Sequence, residues 1–203
     1  MSRVDRAPRR RLDPDQRRAA ILAAAEVAFR DQPYEQVALA EVARAAGGSE
    51  ALLYRYFPTK GELYAALVRR TIAEIHTRQQ DALTALPDGV PVRDRVRALV
   101  VVVLDMVAAH PQAFAASMLA SHRDPEPAAA VRREARRADV DRLRDLLASS
   151  TTRRHVFALE GWFGLLDAAC LHWAGLGCPA DDREPLIAAA LGALEGALGD
   201  WAA

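Results

Sequence analysis

The sequence predicts an all-α protein, with a small N-terminal head of three short helices followed by a larger helical body. Three observations carry that prediction. Apolar residues recur at intervals of three and four through most of the 203 positions, the spacing of one helix face. No segment alternates apolar and polar residues between turn signals for long enough to make a strand. Clusters of Pro, Gly and Asp cut the chain into lengths that suit single helices. With hydrophobic residues at 51%, there is also enough apolar surface to fill a core.

Residues 1–12 hold Arg3, Arg6, Arg9, Arg10 and Arg11 against Asp5. They read as a disordered basic arm, either a tail of solvated charges or an arm that orders on DNA by neutralising phosphates or entering the minor groove. Asp13-Pro14-Asp15-Gln16 then caps a helix whose buried face is Ile21, Ala25, Ala28 and Phe29, and Pro33-Tyr34 breaks it. A second helix carries Leu39, Val42, Ala43 and Ala46 on one face and ends at Gly47-Gly48, where glycine allows the positive φ that reverses a chain. Ser49 caps a third helix. Leu53 and Phe57 point back toward the second helix, while Glu50, Ala51, Leu52, Tyr54, Arg55 and Tyr56 lie on the opposite face. Pro58 stops it, and Thr59-x-x-Glu62 is a capping box for the next helix. Lys60, the sequence's only lysine, sits beside the free N–H groups of that helix start and makes a phosphate seat.

Beyond Phe57 the pattern is helix after helix. One covers residues 60–86 and ends before Pro87-Asp88-Gly89. The next, over 92–110, is apolar almost all round from Leu99 to Val107, which predicts a central position in the body. Asp105 inside that run needs a partner if it is buried, either an arginine or a ligand group for which it is the polar anchor. A short helix over 112–122 ends at Asp124-Pro125-Glu126-Pro127. In the helix over 128–148, Arg132, Arg133, Arg136, Arg137 and Arg144 face Glu134, Asp139, Asp141 and Asp145, which predicts a solvated surface with local ion pairs. Helices over 152–176 and 183–201 close the chain. In the last, Ile187, Leu191, Leu194, Leu198 and Trp201 alternate spacings of four and three, the seam of helices lying side by side. Gly192, Gly196 and Gly199 lie near that stripe, and each interior glycine costs about 1 kcal/mol relative to alanine, so they ask for a packing reason. Leu159, Trp162, Phe163, Leu166, Ala169, Cys170 and Trp173 repeat at the same spacing in the helix before, for packing on the same subunit or on another.

The run LLYRYFPTKGEL, preceded by EVARAAG, resembles the signature of the TetR family of bacterial transcriptional regulators, in which a helix-turn-helix ends in a Tyr-x-His/Tyr-Phe-x-x-Lys run. The resemblance extends back through Arg17-Arg18-x-x-Ile21-Leu22-x-x-Ala25 and Phe29, over roughly residues 15–71. It implies a DNA-binding domain over 13–75, with its helix-turn-helix at 38–57, and a ligand-binding and dimerisation domain over 76–203. The family's DNA contacts carry over onto Tyr54, Tyr56 and Lys60, together with Glu50, Ala51 and Leu52; Ser49 and Arg55, beside them, are expected to contact DNA as well. Where many members have a Ser/Thr cap and a basic residue, this chain has Ala38 and Ala40, and Pro33 replaces a usual glycine. The missing phosphate contacts then fall to the arm, to Arg17 or Arg18, or to Arg44.

The same resemblance implies that the last two helices pair with their symmetry mates, through Leu159, Phe163, Leu166, Cys170, Trp173, Ile187, Leu191, Leu194 and Leu198. A two-fold dimer spaces its reading helices near one DNA turn, about 34–36 Å, and so implies an inverted-repeat operator. The expected activity is that of a repressor released by a small, mostly apolar inducer. Its cavity would draw on Ile72, Ile75, Met106, His110, Phe114, Met118, Phe157, Trp162 and Asp105, with the helix over 60–86 as the lever.

Composition bears on the alternatives. Residues 1–60 hold eleven Arg/Lys against eight Asp/Glu, a net +3, and the remainder sixteen against nineteen, a net −3, so the basic excess lies on the head. No secretory leader is visible, and the longest apolar run, residues 98–109, is short and interrupted by Asp105, so a soluble cytoplasmic protein is expected. The five histidines show no paired metal spacing, and no nucleophile or acid/base cluster points to an enzyme, a resident metal or a cofactor. A metal- or redox-responsive sensor using Cys170, His172 and Cys178 is the alternative, although Cys-x-His on one helix puts its two ligands on different faces.

Overall fold

The computed structural model describes residues 13–148 and 151–199, so the basic arm and Trp201 lie outside the described residues. The chain divides into two units, one ending at Leu67 and the other beginning at Val68. Every regular element among the described residues is helical.

In the first unit, α1 (Pro14–Asp31) starts at the capping box read from the sequence: Asp13 Oδ1 accepts from Gln16 N at 2.8 Å and Gln16 Oε1 from Asp13 N at 3.4 Å. A three-residue 3-10 turn, Tyr34–Gln36, follows Pro33 and is too short for any periodicity to reveal. α2 (Leu39–Ala45) begins at Ala38, which gives no side-chain cap. It ends with Gly47 at φ +70° while Gly48 N donates to Ala43 O (2.9 Å) and Gly47 N to Arg44 O (3.0 Å), the paired bonds of a Schellman turn. α3 (Glu50–Tyr56) starts on Ser49, whose Oγ accepts from Leu52 N at 3.2 Å. The three helices close on one apolar cluster that includes Ile21, Ala25, Val42, Leu53, Phe57 and Leu63. α4 (Lys60–Thr84) opens on the Thr59–Glu62 capping box, and the division between the units falls inside it. The boundary expected at 75/76 lies within this same unbroken helix, where no turn residue marks it.

The second unit continues with α5 (Val92–Ala109), α6 (Pro111–Ala120) with a 3-10 turn after it, α7 (Glu126–Leu146), α8 (Arg153–Gly175) and α9 (Arg183–Leu198). Its core joins α5, α7, α8 and α9: Val96, Val100, Leu104 and Val107 meet Val140 and Leu143, Leu159 through Trp173, and Ile187 through Leu198. Both core tryptophans satisfy their indole N–H, Trp162 on Ala190 O (2.7 Å) and Trp173 on Pro179 O (3.0 Å), so their burial strands no donor. Ion pairs tie α5 to α9 along the outside: Arg93 to Glu195, Arg97 to Glu184 and Asp105 to Arg183. Side chains from the start of α8 cap the end of α9, where Arg154 donates to Ala197 O and His155 reaches Leu198 O. Among the described residues no single helix is long and apolar enough to cross a membrane.

Three expectations change here. α5 is not buried all round, since Val96, Val100, Leu104 and Val107 face the core at spacings of four and three while Asp105 lies outside. Asp105 is therefore no polar anchor in a cavity: its side chain is 58% exposed and paired with Arg183 Nη2 at 2.6 Å. The charges of α7 are more than local pairs, because three of them reach other elements. Arg132 holds Asp124 (2.6 Å), whose side chain is almost wholly buried, and Ser117 (3.0 Å); Arg136 pairs with Asp167 and stacks on Phe163; Asp139 meets His76.

Candidate nucleic-acid interface

α3 is seven residues long, and its placement follows from a few local devices. The glycine turn reverses the chain and Ser49 satisfies an N–H of the first turn. Leu53 and Phe57 then anchor the inner face, both nearly solvent-free. That leaves Glu50, Ala51, Tyr54 and Arg55 exposed, with Leu52 and Tyr56 partly covered; Tyr54 is 44% exposed. The outer face thus mixes two tyrosines, an arginine, a carboxylate and small apolar groups, and helix-turn-helix proteins dock such a second helix in the major groove.

The basic residues around α3 divide into two groups. Arg44 and Arg55 are exposed, and Arg44 makes a long contact (3.7 Å) to Glu41, a pair of little strength in water. Arg17, Arg18 and Lys60 are engaged within the head. Arg17 Nη1 donates to Ala46 O (3.2 Å) and reaches Gly47 O at 3.5 Å. The Arg18 guanidinium lies 5.0 Å from the centre of the Phe57 ring. Lys60 Nζ donates to Glu35 O (3.1 Å) and sits over Tyr34, whose ring packs with Phe29 and Tyr64 at 5.8 and 5.2 Å between centroids. Burial lowers the Lys60 pKa, with Glu35 opposing, and burial raises that of Tyr34, with Glu35 and Tyr64 adding to the rise. Lys60 is a seat already partly filled by its own chain rather than an open one. The Tyr34 ring and the Glu35 carbonyl were missed in the sequence because neither carries a motif; the short 3-10 turn presents both.

The residues expected around an inducer are scattered. Phe157 is 70% exposed, His110 is exposed at the end of α5, Trp162 belongs to the core, and Asp105 is paired on the surface. These four do not line an enclosed cavity, because the rotation of α8 carries Phe157 outward while it turns Trp162 in. Ile72, Ile75, Met106, Phe114 and Met118 are half-buried on α4, α5 and α6.

The residues expected between two subunits also sit elsewhere. Leu159, Leu166, Cys170, Trp173, Ile187, Leu191, Leu194 and Leu198 are all buried within one chain, and Phe163 is partly covered by Arg136. The stripe of four-three spacing is the seam of α8 against its own neighbours. What α8 leaves outside is Phe157, Gly161, Gly164, Leu165 and Ala168; what α9 leaves outside is Pro185, Ala188, Ala189, Gly192 and Gly196. Among the described residues a Cβ built on Gly161, Gly164, Gly192 or Gly196 meets nothing within 4 Å, so none of those residues gives these glycines a packing reason. Gly199 differs: it ends α9 at φ +86°.

The sensor alternative gains no support. Cys170 is buried, and desolvation, with Asp167 and Cys178 adding, pushes its thiol pKa up to about 12, so it stays protonated. Among the described residues no three His, Cys, Asp or Glu side chains gather as a metal-holding group.

Residues 21–67 match the family model of bacterial regulatory proteins, tetR family. The chain is 35% identical over 97 residues to the HTH-type transcriptional activator FasR of Mycolicibacterium smegmatis, a match over 48% of this chain that spans less than half, 43%, of that relative. It is 29% identical over 189 residues to the HTH-type transcriptional regulator BetI of Rhizobium meliloti, covering 93% of this chain and 79% of that one. In fold it is similar to a tetR-family transcriptional regulator from Streptomyces coelicolor, with a TM-score of 0.70 at 23% identity over 92% of this chain and 80% of the other. The family match takes in the buried face of α1, the glycine turn, all of α3 and the first turns of α4. Residues 21–67 thus carry a TetR-family helix-turn-helix domain, and the chain as a whole is similar in fold to a TetR-family transcriptional regulator.

Proposed function

We propose that this regulator acts as a dimeric repressor on an inverted-repeat operator and is released by a small, mostly apolar ligand. The head is the DNA-binding domain, and the body binds ligand and a second copy. The observation that carries this reading is the outer face of α3, uncovered among the described residues and held from behind by Leu53 and Phe57. Tyr54 offers a hydroxyl to phosphate and a ring face to thymine methyls. Ala51 and Leu52 supply apolar contact that suits thymine. Glu50 either accepts from cytosine N4 or complements the helix dipole, and Arg44 and Arg55 supply phosphate charge.

The dimer reading moves from the buried stripe to the open faces of α8 and α9. Interior glycines with open space above them and a phenylalanine in solvent suit the close approach of a second copy of the same helices. For induction, Ile72, Ile75, Met106, Phe114 and Met118 remain as candidate lining. A ligand that binds better to a conformer whose heads miss the half-site spacing lowers operator affinity by that difference in affinity.

The test is selection by the full-length protein from a randomised duplex pool, followed by a screen for compounds that release it from the enriched sequence. Enrichment of an inverted repeat, lost in Tyr54→Ala, is the expected result. No enrichment over many rounds overturns the reading. An enriched sequence from which no compound releases the protein removes the induction step alone.

A further inference from the structure

We infer that Arg17 is a positioning residue for DNA recognition, bracing the turn between α2 and α3, rather than one of the phosphate ligands that its sequence context suggests. The inference rests on the DNA-docking reading of α3 and says what holds that helix in place.

Arg17 lies on the first turn of α1, far from the turn in sequence, yet its Nη1 donates to Ala46 O at 3.2 Å and reaches Gly47 O at 3.5 Å. Those carbonyls follow the last turn of α2, where the helix has no intrahelical donors left to offer. The Schellman bonds of Gly47 and Gly48 use Arg44 O and Ala43 O, and Arg17 takes carbonyls further along the turn, those of Ala46 and Gly47. A cation there also complements the negative end of the α2 dipole. The contact closes on the far side as well: Arg17, Ala46, Gly48, Ser49 and Leu52 line one small cleft, and the Leu52 Cδ2 atom lies 3.2 Å from where a Cβ on Gly48 would be. The guanidinium, the turn and the first turn of α3 therefore border the same cleft.

The leverage on DNA comes from geometry. Only Gly48 and Ser49 separate the braced carbonyls from the start of α3. A seven-residue helix is about 10 Å long, so a tilt of about 10° at the turn moves its far end by about 2 Å. Recognition geometry tolerates about 0.5 Å. A brace on Ala46 O and Gly47 O thus governs where Tyr54 and Arg55 arrive without touching DNA itself.

The experiment compares wild type, Arg17→Gln and Arg17→Lys as full chains, by two readouts. The first needs no DNA: backbone amide exchange at Gly47, Gly48 and Ser49, which is expected to quicken several-fold in Arg17→Gln, while exchange in the core of α8 stays unchanged and reports an intact fold. The second uses the duplex that wild type enriches from the randomised pool, titrated across salt. Affinity is expected to fall about tenfold in Arg17→Gln with no change in the slope of log K against log salt. Arg17→Lys keeps the charge, but its shorter side chain ends before the position that Nη1 occupies beside the two carbonyls, and it is expected to fall with Arg17→Gln. A slope smaller by about 0.9 for each phosphate no longer neutralised, with Arg17→Lys close to wild type and turn exchange unchanged, is the signature of a phosphate ligand and overturns the inference. Unchanged turn exchange overturns it by itself. If wild type enriches no duplex, the DNA reading fails separately, and the exchange rates of the free chain still decide whether Arg17 braces the turn.

Discussion

Gly192→Leu puts the proposed contact between two chains under direct strain. Among the described residues a Cβ on Gly192 has nothing within 4 Å, and the position is exposed in mid-helix. The substitution therefore removes a helix-interior glycine at no packing loss, a gain of roughly 0.8 kcal/mol in propensity. In a body of this size that raises Tm by roughly 2–3 °C. Across a two-fold axis the same change enters twice. If the open glycines let two helices approach closely, each added side chain overfills the seam by roughly 1–3 kcal/mol. Association then weakens by roughly 2–6 kcal/mol, between about 30-fold and more than about 10,000-fold in dissociation constant. Sedimentation velocity over a concentration series reads the association, and thermal unfolding at a dilution that separates the chains reads the single-chain term. The expected result is a folded monomer no less stable than wild type. A Gly192→Leu protein that associates as tightly as wild type refutes the placement of the interface. One whose isolated chain melts earlier refutes the open space above Gly192.

Gly47→Ala tests the turn. With φ at +70° an alanine there is strained by roughly 1–2 kcal/mol, which should lower the denaturation midpoint and weaken duplex binding although no outward residue of α3 is changed; an unaffected midpoint contradicts the left-handed turn. Asp167 gives a pH dependence. Burial raises its pKa, against the pull of Arg136 and with a smaller push from Asp139. A carboxyl whose folded pKa lies above its unfolded value contributes its stability in full below the unfolded value and loses it as pH rises through the folded one. Wild type should thus lose stability relative to Asp167→Asn as pH climbs from about 4, then level off once the carboxyl is ionised; a relative gain over that range contradicts the burial argument. For the thiols, iodoacetamide at pH 8 with peptide mapping should modify half-buried Cys178 first and Cys170 only on unfolding, since Cys170 is buried with its pKa pushed up to about 12. Equal native rates contradict that.

Local chemistry was legible in the sequence where its partners are close along the chain. Asp13 with Gln16, Ser49 with the N–H of Leu52, and Thr59 with Glu62 all lie three residues apart, so each cap could be read directly. The inner face of α3 was equally plain, because Leu53 and Phe57 follow the helical period. Long-range partners carried no such signal. Arg17 meets Ala46 across 29 positions, Lys60 meets Glu35 across 25, and Asp105 finds Arg183 across 78, so the same charges that suggest phosphate or ligand contacts turn inward or pair at the surface. The stripes on α8 and α9 show the other limit. Spacing reveals which residues share a face, but a face that meets its own chain and one that meets a second copy have the same spacing. Burial of Leu159, Ile187 and Leu194 decides in favour of the chain's own core, and the small residues opposite them become the informative ones.

The central claim is that the outer face of α3 reads duplex sequence, once from each of two chains. Hydroxyl-radical footprinting on the enriched duplex tests it most directly. The account predicts two protected half-sites related by two-fold symmetry, their centres about 34–36 Å or a multiple of that apart, with protection abolished by Tyr54→Ala at concentrations where the chain remains folded. Protection at a single unsymmetrical site, or an unchanged footprint in Tyr54→Ala, contradicts it.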